Sequence, residues 1–141
     1  MTKLDWPRIV SAGLIAQIAL NVVFGFVVLN YGQGTVSNAS VVVAALAFNF
    51  LAAVWVGLKI ESRFVLHGFL VGIVGVICHV AETLPNLWNS VSSGALSGGY
   101  GEYLLTSIGG HTPKLLGGLL GGYLVGRRSA GRKAGEVVST N

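Results

Sequence analysis

Three long apolar stretches, 9–29, 41–58 and 64–81, are not interrupted by any lysine, arginine, aspartate or glutamate. A helix needs roughly 20 apolar residues, with about 17–25 tolerated, to cross the hydrocarbon core of a bilayer. Lipid offers no water to the backbone, so each stretch must satisfy its own amide groups as a helix. The pattern therefore predicts three membrane-spanning helices.

A fourth, less regular apolar stretch runs from about 104 to 125 and is interpreted as a fourth span. Pro113 lies inside it, and proline removes a helical hydrogen bond and clashes with the preceding turn. We therefore expect a helix that is kinked or broken there, with 104–112 either extending the span or re-entering the membrane. The sequence thus predicts an all-α integral membrane protein, with residues 1–126 forming a single four-helix transmembrane bundle.

The composition agrees with a lipid environment. Hydrophobic residues make up 52% of the 141 residues and charged residues only 10%, against roughly 25% charged in soluble domains. The net charge of +4 lies at the ends of apolar stretches and forms no basic face with interleaved aromatics, so no nucleic-acid partner is expected. The single cysteine, Cys78, excludes a disulfide within the chain.

The lysines and arginines lie on one side of the predicted spans. The segments 30–40 and 82–103 contain neither residue, and eight of the nine basic residues lie at the other helix ends. These eight are Lys3, Arg8, Lys59, Arg63, Arg127, Arg128, Arg132 and Lys133. Basic residues favour cytoplasmic loops, so both termini are predicted to be cytoplasmic. The chain resembles small, glycine-rich, four-span bacterial membrane proteins, which implies a bacterial or archaeal plasma membrane and no mechanism.

Two further segments flank the fourth span. Apolar residues recur at helical spacing in the connection that precedes it, which predicts a short interfacial helix there. They are Leu84, Leu87, Trp88 and Val91. Residues 127–141 are polar and basic, and we expect them to form a disordered cytoplasmic tail.

Glycines in the third and fourth stretches follow helical spacing. Gly118, Gly122 and Gly126 lie at i, i+4 and i+8, and small residues at this spacing let two helix backbones approach closely. A similar set in the third stretch consists of Gly68, Gly72 and Gly75. We therefore expect these two helices to pack together. Gly117 and Gly121 form a second stripe, so contact with another subunit is an open alternative.

Polar side chains inside membrane spans are costly, and three amides lie within the first two stretches: Gln17, Asn21 and Asn49. Asn21 and Asn49 come to similar depth, so a hydrogen bond between them is expected. Such a bond stabilises helix association by about 0.6–2 kcal/mol. The alternative interpretation is a polar lining for a permeation path.

Four ionisable residues are expected near the outer ends of the third and fourth spans: His79, Glu82, His111 and Lys114. Glu82 is the predicted counter-ion of Lys114, because neither charge is stable alone at low dielectric. The cluster could be a structural ion pair or a proton or ion relay. A third interpretation is a metal or haem site, with His79 and His111 as cofactor ligands and Glu82 as a further metal ligand.

No pairing of nucleophile and base, paired carboxylates or CxxC motif occurs, so an enzyme is not favoured. The leading hypothesis is a non-catalytic membrane protein that associates with itself or with a larger membrane partner. One alternative is an oligomeric channel or small transporter lined by intramembrane polar residues. The other is a metal- or haem-bearing redox subunit.

Overall fold

The structure, a computed structural model, describes residues 4–32, 37–93 and 99–139, with side chains described for 4–32, 37–85, 87–90, 92–93 and 110–132. The described residues form α-helices with short connections and no strand, so the all-α prediction is confirmed. The helices are α1 (Trp6–Tyr31), α2 (Asn38–Gly57), α3 (Phe64–Ser92) and α4 (Gly99–Ser139).

Three of these helices are long and apolar enough to cross a membrane: α1, α2 and the part of α3 from Phe64 to Pro85, each with a mean hydropathy of 2.2. The prediction of three helices that can cross a membrane is therefore confirmed. The described part of α4 is not among them, because its glycines and Lys114 lower its mean hydropathy.

Local capping fixes where the first two helices begin. The Asp5 carboxylate accepts a hydrogen bond from the Arg8 amide at 3.4 Å, and Pro7 lies in the first turn, where its missing N–H costs nothing. Ser37 caps α2 in the same way, because its hydroxyl accepts from the Ser40 amide at 3.1 Å. Both helices thus have defined starts in the sequence itself.

The helices α2 and α3 lie between α1 and α4. Each packs against both outer helices and against the other, whereas the described backbones of α1 and α4 do not contact each other. The buried positions are mainly small or branched side chains: Ile9, Ala12, Ala16, Ala45, Ala53, Val56 and Val71. Large apolar side chains instead cover the perimeter, for example Phe26, Leu51 and Leu120. An apolar perimeter of this kind suits a lipid environment.

Glycines allow α3 and α4 to pack backbone to backbone. A Cβ atom on Gly68 would collide with the Gly118 carbonyl oxygen, and one on Gly122 would collide with the Phe64 carbonyl oxygen. A Cβ on Gly72 would lie 2.7 Å from the Lys114 carbonyl oxygen. Dispersion contacts between the backbones therefore hold this pair of helices together, as they do in other membrane proteins.

The second glycine stripe of α4 is occupied by α2. A Cβ on Gly117 would collide with the Leu46 carbonyl oxygen, and one on Gly121 would lie 2.5 Å from the Phe50 carbonyl oxygen. Both stripes of α4 are therefore used within the chain, and neither is left for another subunit.

Two helices are longer than the sequence indicates. Instead of a separate interfacial helix, α3 continues through Pro85 to Ser92, and α4 continues without a break through Pro113 to Ser139. Each proline removes one backbone hydrogen bond, and packing against neighbouring helices tolerates that loss in membrane helices. Pro113 is buried, and the following Lys114 lies against Gly72 of α3, whereas Pro85 is exposed. Residues 127–139 are helical where a disordered tail was expected, since arginine, alanine and lysine there are good helix formers.

One end of the structure collects the basic residues. The Arg8 guanidinium donates from Nη1 to the Lys59 carbonyl oxygen at 2.9 Å and forms an ion pair with Asp5 at 2.8 Å. Gly126, which precedes the arginine pair of α4, lies beside Phe64 at the start of α3. Lys3 and the Lys133 side chain lie outside the described residues. The same holds for the side chains of 104–109.

Candidate functional site

Lys114 is the most unusual side chain in the described structure, because it is charged and only 2% exposed. Its ammonium donates to the Gln17 Oε1 atom at 2.8 Å and to the Gly75 carbonyl oxygen at 3.2 Å. Lys114 lies thirteen positions before Arg127 in the same helix, which corresponds to about 20 Å along the axis. The ammonium therefore lies deep between the helices.

The amide of Gln17 links Lys114 to Glu82. Gln17, itself 2% exposed, donates from Nε2 to Glu82 Oε2 at 3.0 Å and to Asn21 Oδ1 at 3.1 Å. Asn21 in turn donates from Nδ2 to Glu82 Oε1 at 3.0 Å. We call Gln17, Asn21, Glu82 and Lys114 the polar network.

The polar network changes two expectations about pairing. Among the described residues, Lys114 and Glu82 form no direct ion pair, because Gln17 lies between them. The expected hydrogen bond between Asn21 and Asn49 is also not formed, since Asn21 is bonded to Glu82 and Asn49 to the Ala45 carbonyl oxygen. The amide of Gln17 is thus the central connection.

The outer side of the polar network faces the apolar perimeter. Asn21 and Glu82 are exposed, and Ile18, one turn before Asn21 on α1, is an exposed apolar side chain. Both helices continue for about ten residues beyond this point, which is roughly 15 Å. Asn21 therefore lies well inside the apolar part of α1, whereas Glu82 lies three residues before Pro85, where the membrane-capable part of α3 ends.

Asn49 lies buried near Lys114. Its Nδ2 donates to the Ala45 carbonyl oxygen at 2.8 Å, whereas its Oδ1 has no hydrogen-bond partner. A Cβ atom on Gly75 would lie 3.0 Å from that oxygen and 3.8 Å from Lys114 Cδ. The glycine thus leaves room between an unpaired acceptor and the lysine side chain.

The histidines His79 and His111 are brought together, as their placement near the ends of two spans suggests. Their ring centroids lie 5.2 Å apart in an edge-to-face arrangement, and His111 Nδ1 is buried without a hydrogen-bond partner. No group of three or more His, Cys, Asp or Glu side chains that could hold a metal ion occurs in the described part of the chain. Glu82 is bonded to the two amides of the polar network instead.

His67 lies apart from this cluster, at the basic end, and sequence reasoning missed its role. It is 3% exposed, its Nε2 accepts from the Asp5 amide at 3.3 Å, and its Nδ1 lies 2.9 Å from the Arg63 carbonyl oxygen. The ring must therefore carry its proton on Nδ1. It joins the start of α1 to the start of α3.

The polar network can hold two opposite charges inside an apolar protein. A buried ion costs several kcal/mol unless it is paired and its remaining hydrogen-bonding groups are satisfied. Here the ammonium is solvated by an amide and a carbonyl oxygen, and the same amide donates to the carboxylate. The formal charges of Lys114 and Glu82 cancel, so the network as a whole is neutral.

Comparisons of the chain with protein-family models, with curated proteins and with solved structures found no match.

Proposed function

We propose that the protein is a four-span integral membrane protein with both termini in the cytoplasm, and that it acts as a non-catalytic protein that self-associates within the bilayer. The observation that carries this proposal is the exposure of Asn21 and Glu82 on the apolar perimeter, while both belong to a network that ends on buried Lys114.

Contact with lipid is unfavourable for Asn21 and Glu82, which together we call the Asn21–Glu82 patch. A charged side chain at the centre of a membrane helix costs about 2.5–3.5 kcal/mol on insertion scales, and polar groups within spans usually face protein or water. Glu82, three residues before the end of its span, costs less than this, and Asn21 is the deeper of the two. A second protein surface that covers Asn21 and Glu82 removes that cost. The patch is therefore a place where association is favourable.

The patch is complementary to itself. An asparagine amide has two N–H donors and a carboxylate has about four acceptor sites, whereas Asn21 uses one donor and Glu82 two acceptor sites within the chain. One copy can therefore donate from Asn21 to Glu82 of a second copy, and the reverse contact forms at the same time about a two-fold axis. Gly25, one turn beyond Asn21, is exposed with no atom within 4 Å of a Cβ placed on it. It permits close approach of the second copy.

The proposed orientation in the membrane follows from the position of the basic residues. Arg8, Lys59 and the arginines after Gly126 lie at one end of the helices, and an excess of basic residues marks the cytoplasmic side. The helix α4 is taken as the fourth span because its glycine faces pack along both α2 and α3. The less apolar α4 is then partly shielded from lipid by these two helices.

Disulfide cross-linking in native membranes tests self-association. In a Cys78→Ala background, Val22→Cys places a thiol beside the patch, and Ala47→Cys places one on the exposed surface of α2 as a matched control. Oxidation should convert the Val22→Cys protein to a covalent dimer and leave the Ala47→Cys protein monomeric. Equal cross-linking of both, or none at Val22→Cys, would contradict the proposal.

A second candidate function, an ion or proton pathway, is favoured by one observation. The polar network runs from exposed Glu82 to buried Lys114, beside the unpaired Asn49 Oδ1 and His111 Nδ1 atoms. Polar groups of this kind mark proton and ion pathways in membrane proteins. Flux of protons or alkali cations into liposomes that contain the protein, lost in Glu82→Gln, would support it. No flux with a folded protein would exclude it.

A further inference from the structure

A cavity of about 710 Å³ lies at the basic end, between the end of α2 and the last turns of α4. The α4 wall carries Arg128, Ser129 and Arg132, with Val125 one turn before Arg128, and the opposite wall carries Leu58 and Ile60 after the end of α2. The volume lies within the range of about 300–1,000 Å³ that is usual for small-molecule sites. The cavity therefore combines a cationic wall with an apolar one.

The arginine wall exists because α4 continues as a helix beyond Gly126. Arg128 and Arg132 are four residues apart, so they share one helix face, and that face lies over the end of α2. Both side chains are exposed. Among the described side chains, neither arginine forms an ion pair with a carboxylate. Glu61, which follows Ile60 in the sequence, does not line the cavity.

The apolar wall points to a ligand with two chemical parts. Leu58 is 66% exposed although it directly follows the end of α2, and Val125 on the opposite side is 4% exposed. Two guanidinium groups offer paired donors that match phosphate oxygens. An anionic phospholipid has both a phosphate for the arginines and acyl chains for the apolar side chains.

We propose that this cavity binds the headgroup of an anionic phospholipid of the cytoplasmic leaflet, with Arg128 and Arg132 holding the phosphate and Ser129 donating a hydrogen bond to it. The inference rests on the proposed membrane topology, which places the basic end at that leaflet. Basic pockets between helices on the cytoplasmic side are suited to anionic headgroups. The acyl chains then lie along Leu58 and the adjacent apolar perimeter.

Native mass spectrometry of the full chain in detergent tests the site. Phosphatidylglycerol and phosphatidylcholine with identical acyl chains are titrated against the unchanged protein and the double variant Arg128→Gln/Arg132→Gln. We expect the unchanged protein to prefer phosphatidylglycerol, and the double variant to lose that preference by about thirtyfold. This follows because each basic residue near an anionic surface contributes about 1 kcal/mol, and each 1.4 kcal/mol is tenfold.

The control is Arg63→Gln/Arg127→Gln, which removes the same charge from the same end but leaves the cavity lining unchanged. It should keep most of the preference, and an equal loss in both double variants would show a general charge effect and overturn the site. Full competition by inorganic phosphate would also overturn it, because the apolar wall would then contribute nothing. If the unchanged protein showed no preference for phosphatidylglycerol but Val22→Cys still formed a covalent dimer, the lipid site would be overturned and the proposal of self-association would be unaffected.

Discussion

The Lys114 ammonium lies 2.8 Å from the Gln17 Oε1 atom, and this contact joins α4 to α1, whose described backbones do not touch. The lysine side chain passes Gly75 on α3 and donates to its carbonyl oxygen at 3.2 Å. The Nε2 atom of the same Gln17 side chain donates to Glu82 at the perimeter. The buried charge and the exposed patch are therefore two ends of one hydrogen-bonded unit.

Removing the ammonium should destabilise the protein, and removing the carboxylate as well should restore part of the loss. Lys114→Met leaves Gln17 Oε1 and a carboxylate without their cation, which costs about 1–3 kcal/mol. Adding Glu82→Gln removes the uncompensated charge. The thermal midpoints of the single and double variants in detergent measure this coupling. Strictly additive losses would show that Gln17 does not link the two charges.

Backbone contact between α3 and α4 makes Gly118 sensitive to substitution. In Gly118→Ala the new methyl group meets the Gly68 carbonyl oxygen, which is backbone and cannot rotate away, so a loss of about 1–3 kcal/mol is expected. Gly126→Ala is the control, because its Cβ would lie 3.4 Å from Phe64 Cδ2 in ordinary contact. Thermal unfolding in detergent compares them. Equal midpoints would mean that the two helices are not packed as described.

Asn49 separates the two candidate functions. Asn49→Leu removes a buried acceptor that has no partner and keeps the branched shape of the side chain, so stability should be unchanged or slightly higher. Self-association should also be unchanged, since Asn49 is buried away from the perimeter. The measurements are the thermal midpoint and the yield of Val22→Cys cross-linking. Loss of liposome flux in a stable Asn49→Leu protein would instead support a pathway through the network.

The proposed topology can be read from thiol accessibility. In the Cys78→Ala background, Ala39→Cys lies at the start of α2 and Ala130→Cys in the last turns of α4, and both positions are exposed. A membrane-impermeant thiol reagent added to intact cells should label Ala39→Cys, and should label Ala130→Cys only after permeabilisation. The opposite pattern would reverse the orientation, and labelling of both would remove the fourth span.

Spacing in the sequence was enough to indicate which helices meet. Gly118 and Gly122 repeat every four residues, and small residues on one face need a partner backbone, which the structure places on α3. The placement of Lys114 and Glu82 at comparable depth likewise anticipated one shared cluster. The spacing of small residues depends on one helix alone, and the cost of burying a charge depends on one residue alone. Both can therefore be read from the sequence without knowing how the helices pack.

Side-chain connections between helices were not readable in this way. The position of Gln17 between Lys114 and Glu82 depends on how far each helix is rotated about its axis, and periodicity alone does not give that angle. The helical course through Pro113 was one of two alternatives that the sequence left open, because proline is unfavourable locally and its tolerance depends on burial by other parts of the molecule. The pairing of His67 with the Asp5 amide has no sequence signal, because any residue supplies a backbone amide.

The most direct measurement of the central claim is the dimerisation affinity in liposomes, followed by energy transfer between labelled copies as the protein is diluted in lipid. Energy transfer should fall along a monomer–dimer curve. Asn21→Leu should weaken dimerisation by about sevenfold, since two symmetric interhelical hydrogen bonds contribute about 0.6 kcal/mol each and each 1.4 kcal/mol is tenfold. Gly25→Leu should also weaken it, because a large side chain there blocks close approach of the second copy. Ala47→Leu should match the unchanged protein. A monomer at every density, or equal weakening by all three substitutions, would contradict self-association through the Asn21–Glu82 patch.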